Sequence, residues 1–123
     1  MPAEYRIERS RRMVLSRAWG CLTDAELTDN RAALFADAAF EPDMAQLYDF
    51  SGVTELKVTS ETLRLFARTS RFSPRARRAM VVSSDAVFGM ARMYAIMSDK
   101  EDQIQVFRDV ASAMHWLDSA MGG

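Results

Sequence analysis

The chain's 123 residues amount to 13.9 kDa, which suits one domain burying roughly two thirds of its unfolded surface. Apolar residues make up 49% and charged residues 27%, which excludes a disordered chain. A formal net charge of -1 creates no overall field toward nucleic acid or an acidic membrane, and no apolar run approaches the length that spans a bilayer.

Taken in chain order, "EYRIERS" at 4–10 alternates Tyr5 and Ile7 with polar neighbours, as a half-exposed strand does. "RRMVLSRAWG" at 11–20 reads as a second strand, with Met13, Leu15 and Trp19 on one side and Val14, Ser16 and Ala18 on the other. The two strands lie close enough to form a hairpin. The period then changes over "LTDAELTDNRAALFADAAF", where Thr23 followed by Glu26 makes a capping box for a helix that Pro42 closes. A third strand is expected over 44–50, "MAQLYDF", with "SGV" turning the chain. From Ser60, "ETLRLFARTSRF" places Leu63, Phe66 and Ala67 on one helical face. "SPRARR" at 73–78 reads as a loop, "AMVVSS" at 79–84 as a strand, and 85–98 as a helix capped by Ser84 or Asp85. A short strand over 102–109 and a C-terminal helix ending before Gly122 and Gly123 complete the chain. The order β-β-α-β-α-β-α-β-α predicts a single α/β domain with a mostly parallel sheet and an antiparallel N-terminal pair.

The chemistry-bearing residues narrow the function by what they exclude. Cys21 is the only cysteine and His115 the only histidine. An internal disulfide is therefore impossible, a reducing cytoplasm is the expected setting, and neither a His/Cys metal site nor a histidine-based triad is expected. There is no nucleophile–base pair and no glycine-rich phosphate loop, so no cofactor and no enzymatic activity are expected. "MPAEYRIERSRRM" carries charges but no apolar core, so no signal peptide is expected.

The stretch "YDFSGVTEL" at 48–56, together with the element order, resembles the SpoIIAA-like fold of anti-sigma-factor antagonists and of the domains shared with sulfate transporters, the STAS domains. In that family's signature an aspartate, an apolar residue, a small polar residue and a glycine precede a helix. The likeness is greater to divergent SpoIIAA-like bacterial proteins than to the phosphorylated antagonists. The resemblance implies a regulatory module acting through protein contacts, switched in antagonists by a phosphorylated serine beside an aspartate. Counted from Asp49, those two positions fall on Lys57 and Val58, and Val58 has no hydroxyl. A shift of one residue would place the acceptor at Thr59. The other reading of Thr59 or Ser60 is a helix N-cap, whose oxygen takes an unpaired backbone N–H. The resemblance also implies a second function, since some proteins of this group resemble lipid-binding domains: carrier or sensor of a small apolar or lipid-like ligand.

Two further features are candidates for binding. Arg64, Arg68, Arg71, Arg75, Arg77 and Arg78 follow one another with no acid between 62 and 84. Arg75, Arg77 and Arg78 form a candidate anion site, because guanidinium groups pair oxyanions bidentately; the alternative is a solvated face. The helix 85–98 carries a main stripe of Val87, Met90, Ala91, Tyr94 and Met97, while Phe88, Met93 and Ile96 extend its apolar character around Arg92. A helix apolar all round is covered on more than one side. Phe88, Arg92, Met93 and Ile96 are therefore candidates for a protein-partner or homodimer contact, or for the lining of an apolar pocket.

Overall fold

The computed structural model of the chain describes residues 2–99 and 103–121. Nine regular elements follow the expected order: β1 (Ala3–Glu8), β2 (Met13–Thr23), α1 (Asp24–Ala36), β3 (Ala45–Lys57), α2 (Ser60–Arg68), β4 (Arg78–Val81), α3 (Asp85–Met97), β5 (Ile104–Phe107) and α4 (Val110–Met121), with one 3-10 turn at Arg9–Arg11. The strands form one sheet in the order β1-β2-β3-β4-β5; β1 is antiparallel to β2, and all other pairs are parallel. Asp102, expected to open the last strand, and Gly122–Gly123 lie outside the described residues.

Helix starts lie where side-chain oxygens can take orphan N–H groups. At α1, Thr23 accepts from the Glu26 N–H while Glu26 reaches back to the Thr23 N–H, the reciprocal box read from the sequence. Ser84 caps α3. Thr59 caps α2, and Ser60 is that helix's first residue.

One expectation is corrected. "SGV" does not turn the chain: β3 runs through it to Lys57. The register explains how. Arg17 pairs with Asp49 but Trp19 with Gly52, and Gly20 pairs with Val53 but Cys21 with Glu55, so β3 takes one extra residue on β2 at each of two bulges. A glycine inside a strand marks a bulge or a close approach of backbone. Both occur here. A Cβ on Gly52 would lie 3.0 Å from the Trp19 Cβ, and Gly20 has a φ of +65° that side-chain-bearing residues rarely adopt.

The pleat sends alternate residues to opposite faces. On one face Met13, Leu47, Ala79 and Val81 pack with Ala113 and Leu117 of α4. On the other, Ala18, Leu22, Phe50, Met80 and Ile104 pack with Leu27 of α1, Leu63 and Phe66 of α2, and Val87, Met90, Ala91, Tyr94 and Ala95 of α3. A third cluster under α1 joins Val14, Leu34 and Met44 to Phe40 and Phe72. There Phe35, Phe40 and Phe72 meet with ring centroids 5.1–5.9 Å apart. Phe72 thereby ties the loop before β4 to the core.

Candidate functional site

The three-helix face of the sheet is not filled. Between it and α1, α2 and α3 lies a cavity of about 70 Å³. From the sheet, Gln46, Tyr48 and Phe50 of β3 and Arg78 and Met80 of β4 reach into it, every second residue of each strand. From α1 come Leu27, Asn30, Arg31, Leu34 and Phe35, the i, i+3, i+4, i+7, i+8 face of a helix turned to a core. Leu63 and Phe66 of α2, Met90, Ala91 and Tyr94 of α3, and Phe72 close the rest.

The polar groups in this wall form a chain across the sheet. Gln46, only 3% exposed, donates from Nε2 to Ser16 Oγ at 3.2 Å and accepts at Oε1 from Arg78 Nε at 3.1 Å. The guanidinium, a donor only, fixes the amide with its oxygen toward Arg78. Arg78 continues the chain by donating to the Tyr94 phenol oxygen at 2.9 Å, and its plane lies over the Phe72 ring at 4.3 Å. Opposite, Arg31 donates to the Phe66 carbonyl at 2.8 Å, in the last turn of α2, where a cation also meets the negative end of the helix dipole. Its guanidinium lies over Phe66 at 4.5 Å and over Phe35 at 4.8 Å. Asn30 donates to the Tyr48 hydroxyl at 3.1 Å, and the Tyr48 ring stacks on Phe50 at 4.2 Å.

The electrostatics are one-sided. Arg31 and Arg78 both line the cavity, and its wall contains no Asp or Glu. Among the described residues neither arginine has a carboxylate within 4.0 Å, although seven other ion pairs form on the surface. Burial lowers the pKa of Arg31; Tyr94 pulls against it, and the charge of Arg78, the smallest of the three influences, lowers it further. Burial would raise the Tyr94 phenol, but the charge and hydrogen bond of Arg78, with the charge of Arg31, outweigh it and bring the pKa below its ordinary value. Tyr48 feels burial without a cation, and is pushed up to about 12 despite the bond from Asn30.

The candidate residues fall in different places. Arg75, Arg77 and Arg78 are not one site. Arg75 is exposed, Arg77 lies over the Trp116 ring of α4 and donates to the Trp116 carbonyl at 3.3 Å, and Arg78 enters the cavity on the opposite face. Phe88, Arg92, Met93 and Ile96 stand on the side of α3 away from the cavity. Phe88 is half-buried under the Arg108 guanidinium at 4.8 Å, while Met93 and Ile96 are 42% and 55% exposed. Thr59 holds more than its own helix. Its N–H and hydroxyl both donate to Asp24 at 2.9 Å, so the N-termini of α1 and α2 are clasped together. Val58 packs partly buried against the core. Asp49 accepts from the Ser51 N–H at 2.9 Å, and His115 is exposed.

Arg31, Gln46, Tyr48 and Tyr94 escaped the sequence reading as site residues. The signal for two of them was present: Gln46 is a polar residue at an inward position of an apolar strand, and Arg31 stands between Leu27 and Leu34 on the apolar face of α1. A charge on an inward helical face is more informative than the loop arginines, whose spacing has no facing element.

No family model matches the chain, and no curated protein does either. Among solved structures it is similar to the crystal structure of an uncharacterized protein from the DUF3478 family with a SpoIIAA-like fold, from Shewanella loihica PV-4. The likeness has a TM-score of 0.62 at 20% sequence identity and covers 94% of this chain and 93% of that one. With the five-stranded mixed sheet and four helices described above, the fold is SpoIIAA-like.

Proposed function

We propose that this SpoIIAA-like domain is a non-enzymatic binding module whose ligand is a small, mostly apolar molecule held between the sheet and α1–α3. The single observation that carries this reading is the cavity itself, small but with an aromatic wall and a few polar groups converging on it, the kind of lining found in small-molecule sites. The chemistry of that wall supports binding rather than catalysis. Its polar side chains are two guanidiniums, two phenols and two amides, with no carboxylate, imidazole or thiol among them to take up a proton. Loss of the antagonists' phosphoserine switch is part of the same reading. Val58 has no hydroxyl, and a phosphate on Thr59 would set its charge against the Asp24 carboxylate that the Thr59 hydroxyl now bonds. Native mass spectrometry of protein purified from cells tests the proposal: a retained small molecule is the expected result. A chain that is bare in every preparation, and that takes up neither benzoate nor benzyl alcohol, sinks it.

A second reading, a regulatory module acting through protein contacts, is favoured by the outer face of α3. Met93 and Ile96 leave large apolar areas in water there, and such patches recur at interaction sites. A homodimer contact through Phe88, Arg92, Met93 and Ile96 is the form this takes. The double substitution Phe88→Glu/Met93→Glu then converts a dimer to a folded monomer by analytical ultracentrifugation, with its circular dichroism retained. A wild type that is monomeric at high concentration removes this reading without touching the first.

A further inference from the structure

Two guanidiniums sharing a half-enclosed, aromatic-walled cavity with no acid is an uncompensated arrangement. Charges withdrawn from water are ordinarily paired, and several arginines of this chain do pair with carboxylates, as Arg12 does with Glu41 and Arg108 with Asp85. The two half-buried guanidiniums of the cavity have no carboxylate within 4.0 Å among the described residues. Nor do neutral acceptors use them up. A guanidinium has five N–H donors; the Phe66 carbonyl takes one from Arg31, and Gln46 and Tyr94 take two from Arg78.

Both groups are nevertheless held in place. Arg31 is fixed by the α2 carbonyl and two rings, and Arg78 by Gln46, Tyr94 and the Phe72 face. Mutually repelling cations that are positioned but not neutralised mark a place where local stability yields to function. They come from different elements, α1 and β4, so neither is explained by the needs of a single helix or strand.

We infer that the cavity takes a small organic monoanion, a carboxylate whose head is paired by Arg31 and Arg78 and whose apolar or aromatic body lies among Phe50, Phe66, Phe72 and Met90. The inference rests on the cavity reading above and specifies its ligand. Size and chemistry both constrain the class. At about 70 Å³ the enclosed space is smaller than the ~150 Å³ cavity known to admit benzene, so a long acyl chain does not fit without opening the domain, and an aromatic body enters only in part, the rest lying in the cavity's open side. Planar guanidiniums match a carboxylate in two-bond geometry. The rings give a flat body stacking surfaces beyond mere area burial. A dianion such as phosphate would bring two charges but no body to fill the apolar wall.

The experiment compares benzoate with benzyl alcohol, alike in shape but differing in charge, by NMR titration of the full ¹⁵N-labelled chain up to about 10 mM probe. Benzoate is expected to bind about ten-fold tighter or more, shifting the Arg31 and Arg78 Nε resonances and the Ala91 and Tyr94 amides. Arg78→Met and Arg31→Met are each expected to narrow the preference for benzoate over the alcohol several-fold, and variants that keep the full preference overturn the inference. If one variant fails to fold, the other and the wild-type comparison still decide. Equal binding of both probes in the cavity overturns the anion inference and leaves the cavity reading standing. Benzoate shifts confined to Arg75, Arg77 or the outer surface overturn it as well. Binding of neither probe overturns both.

Discussion

Arg77, just before β4, and Arg78, its first residue, are neighbours in the chain, yet they belong to two different kinds of protein interior. Arg77 goes to the α4 face, where its guanidinium lies over Trp116 and covers a core of Met13, Leu47, Ala79, Val81, Ala113 and Leu117. Arg78 goes to the three-helix face, where it joins Arg31 in the wall of a cavity. The pleat of the strand makes the division: consecutive side chains leave by opposite faces. The α4 face has an apolar core with the amphipathic Arg77 side chain laid over Trp116 at its margin. The α1–α3 face keeps open space, aromatic rings and charge. The same residue type is thus a cover on one side and a candidate ligand-holder on the other.

The largest test of this contrast is packing. Leu117 is fully buried, and Leu117→Ala is expected to cost about 3 kcal/mol by chemical denaturation, because the wall around it cannot collapse. Met90→Ala removes a side chain that already borders open space, so it falls at the low end of such losses, about 2 kcal/mol. A larger loss at Met90 than at Leu117 breaks the comparison.

A smaller effect sharpens it. The helices over the cavity are tied by polar contacts, of which the Asp24–Thr59 clasp joins α1 to α2. Burial is the largest single influence on Asp24 and opposes its ionisation, but the Thr59 N–H and hydroxyl and the Thr62 hydroxyl together outweigh it and lower its pKa below the ordinary 3.8. The sign follows from linkage: a depressed folded-state pKa contributes stability that is present above 3.8 and lost as pH falls through the lower folded value. Asp24→Asn and Thr59→Ala should each cost about 1 kcal/mol near neutrality. The wild-type advantage over Asp24→Asn should vanish in strong acid. Hydrogen exchange resolves where the loss acts: amides of α1 and α2 are expected to quicken first, with α4 unchanged. Equal loosening of α4 would show that the faces are not independent. The capping cost belongs to Thr59 rather than Ser60, since Ser60 is already inside α2.

Local signals carried most of the fold. Thr23 with Glu26 and Ser84 before Val87 place helix starts within a residue, since a cap is a contact between near neighbours in sequence. The period change after β2 and the inward face of α3 were equally legible. The site was not. Arg78 was in view, but grouped with Arg75 and Arg77 as one anion site, a grouping that proximity in sequence suggested and the pleat undid.

The sequence by itself determined the kind and order of the elements and the antiparallel N-terminal pair, because these rest on spacing within a few residues. The tertiary structure alone decided the rest. Ser51 and Gly52 read as a turn until β2 lies alongside and its Trp19 backbone comes within reach, and only then is the glycine a bulge inside a long strand. Arg31 and Arg78 are unrelated along the chain. They meet because the parallel sheet brings β4 next to β3 while α1 packs across the same face, and a pairing made across the layers of a fold leaves no period in the sequence.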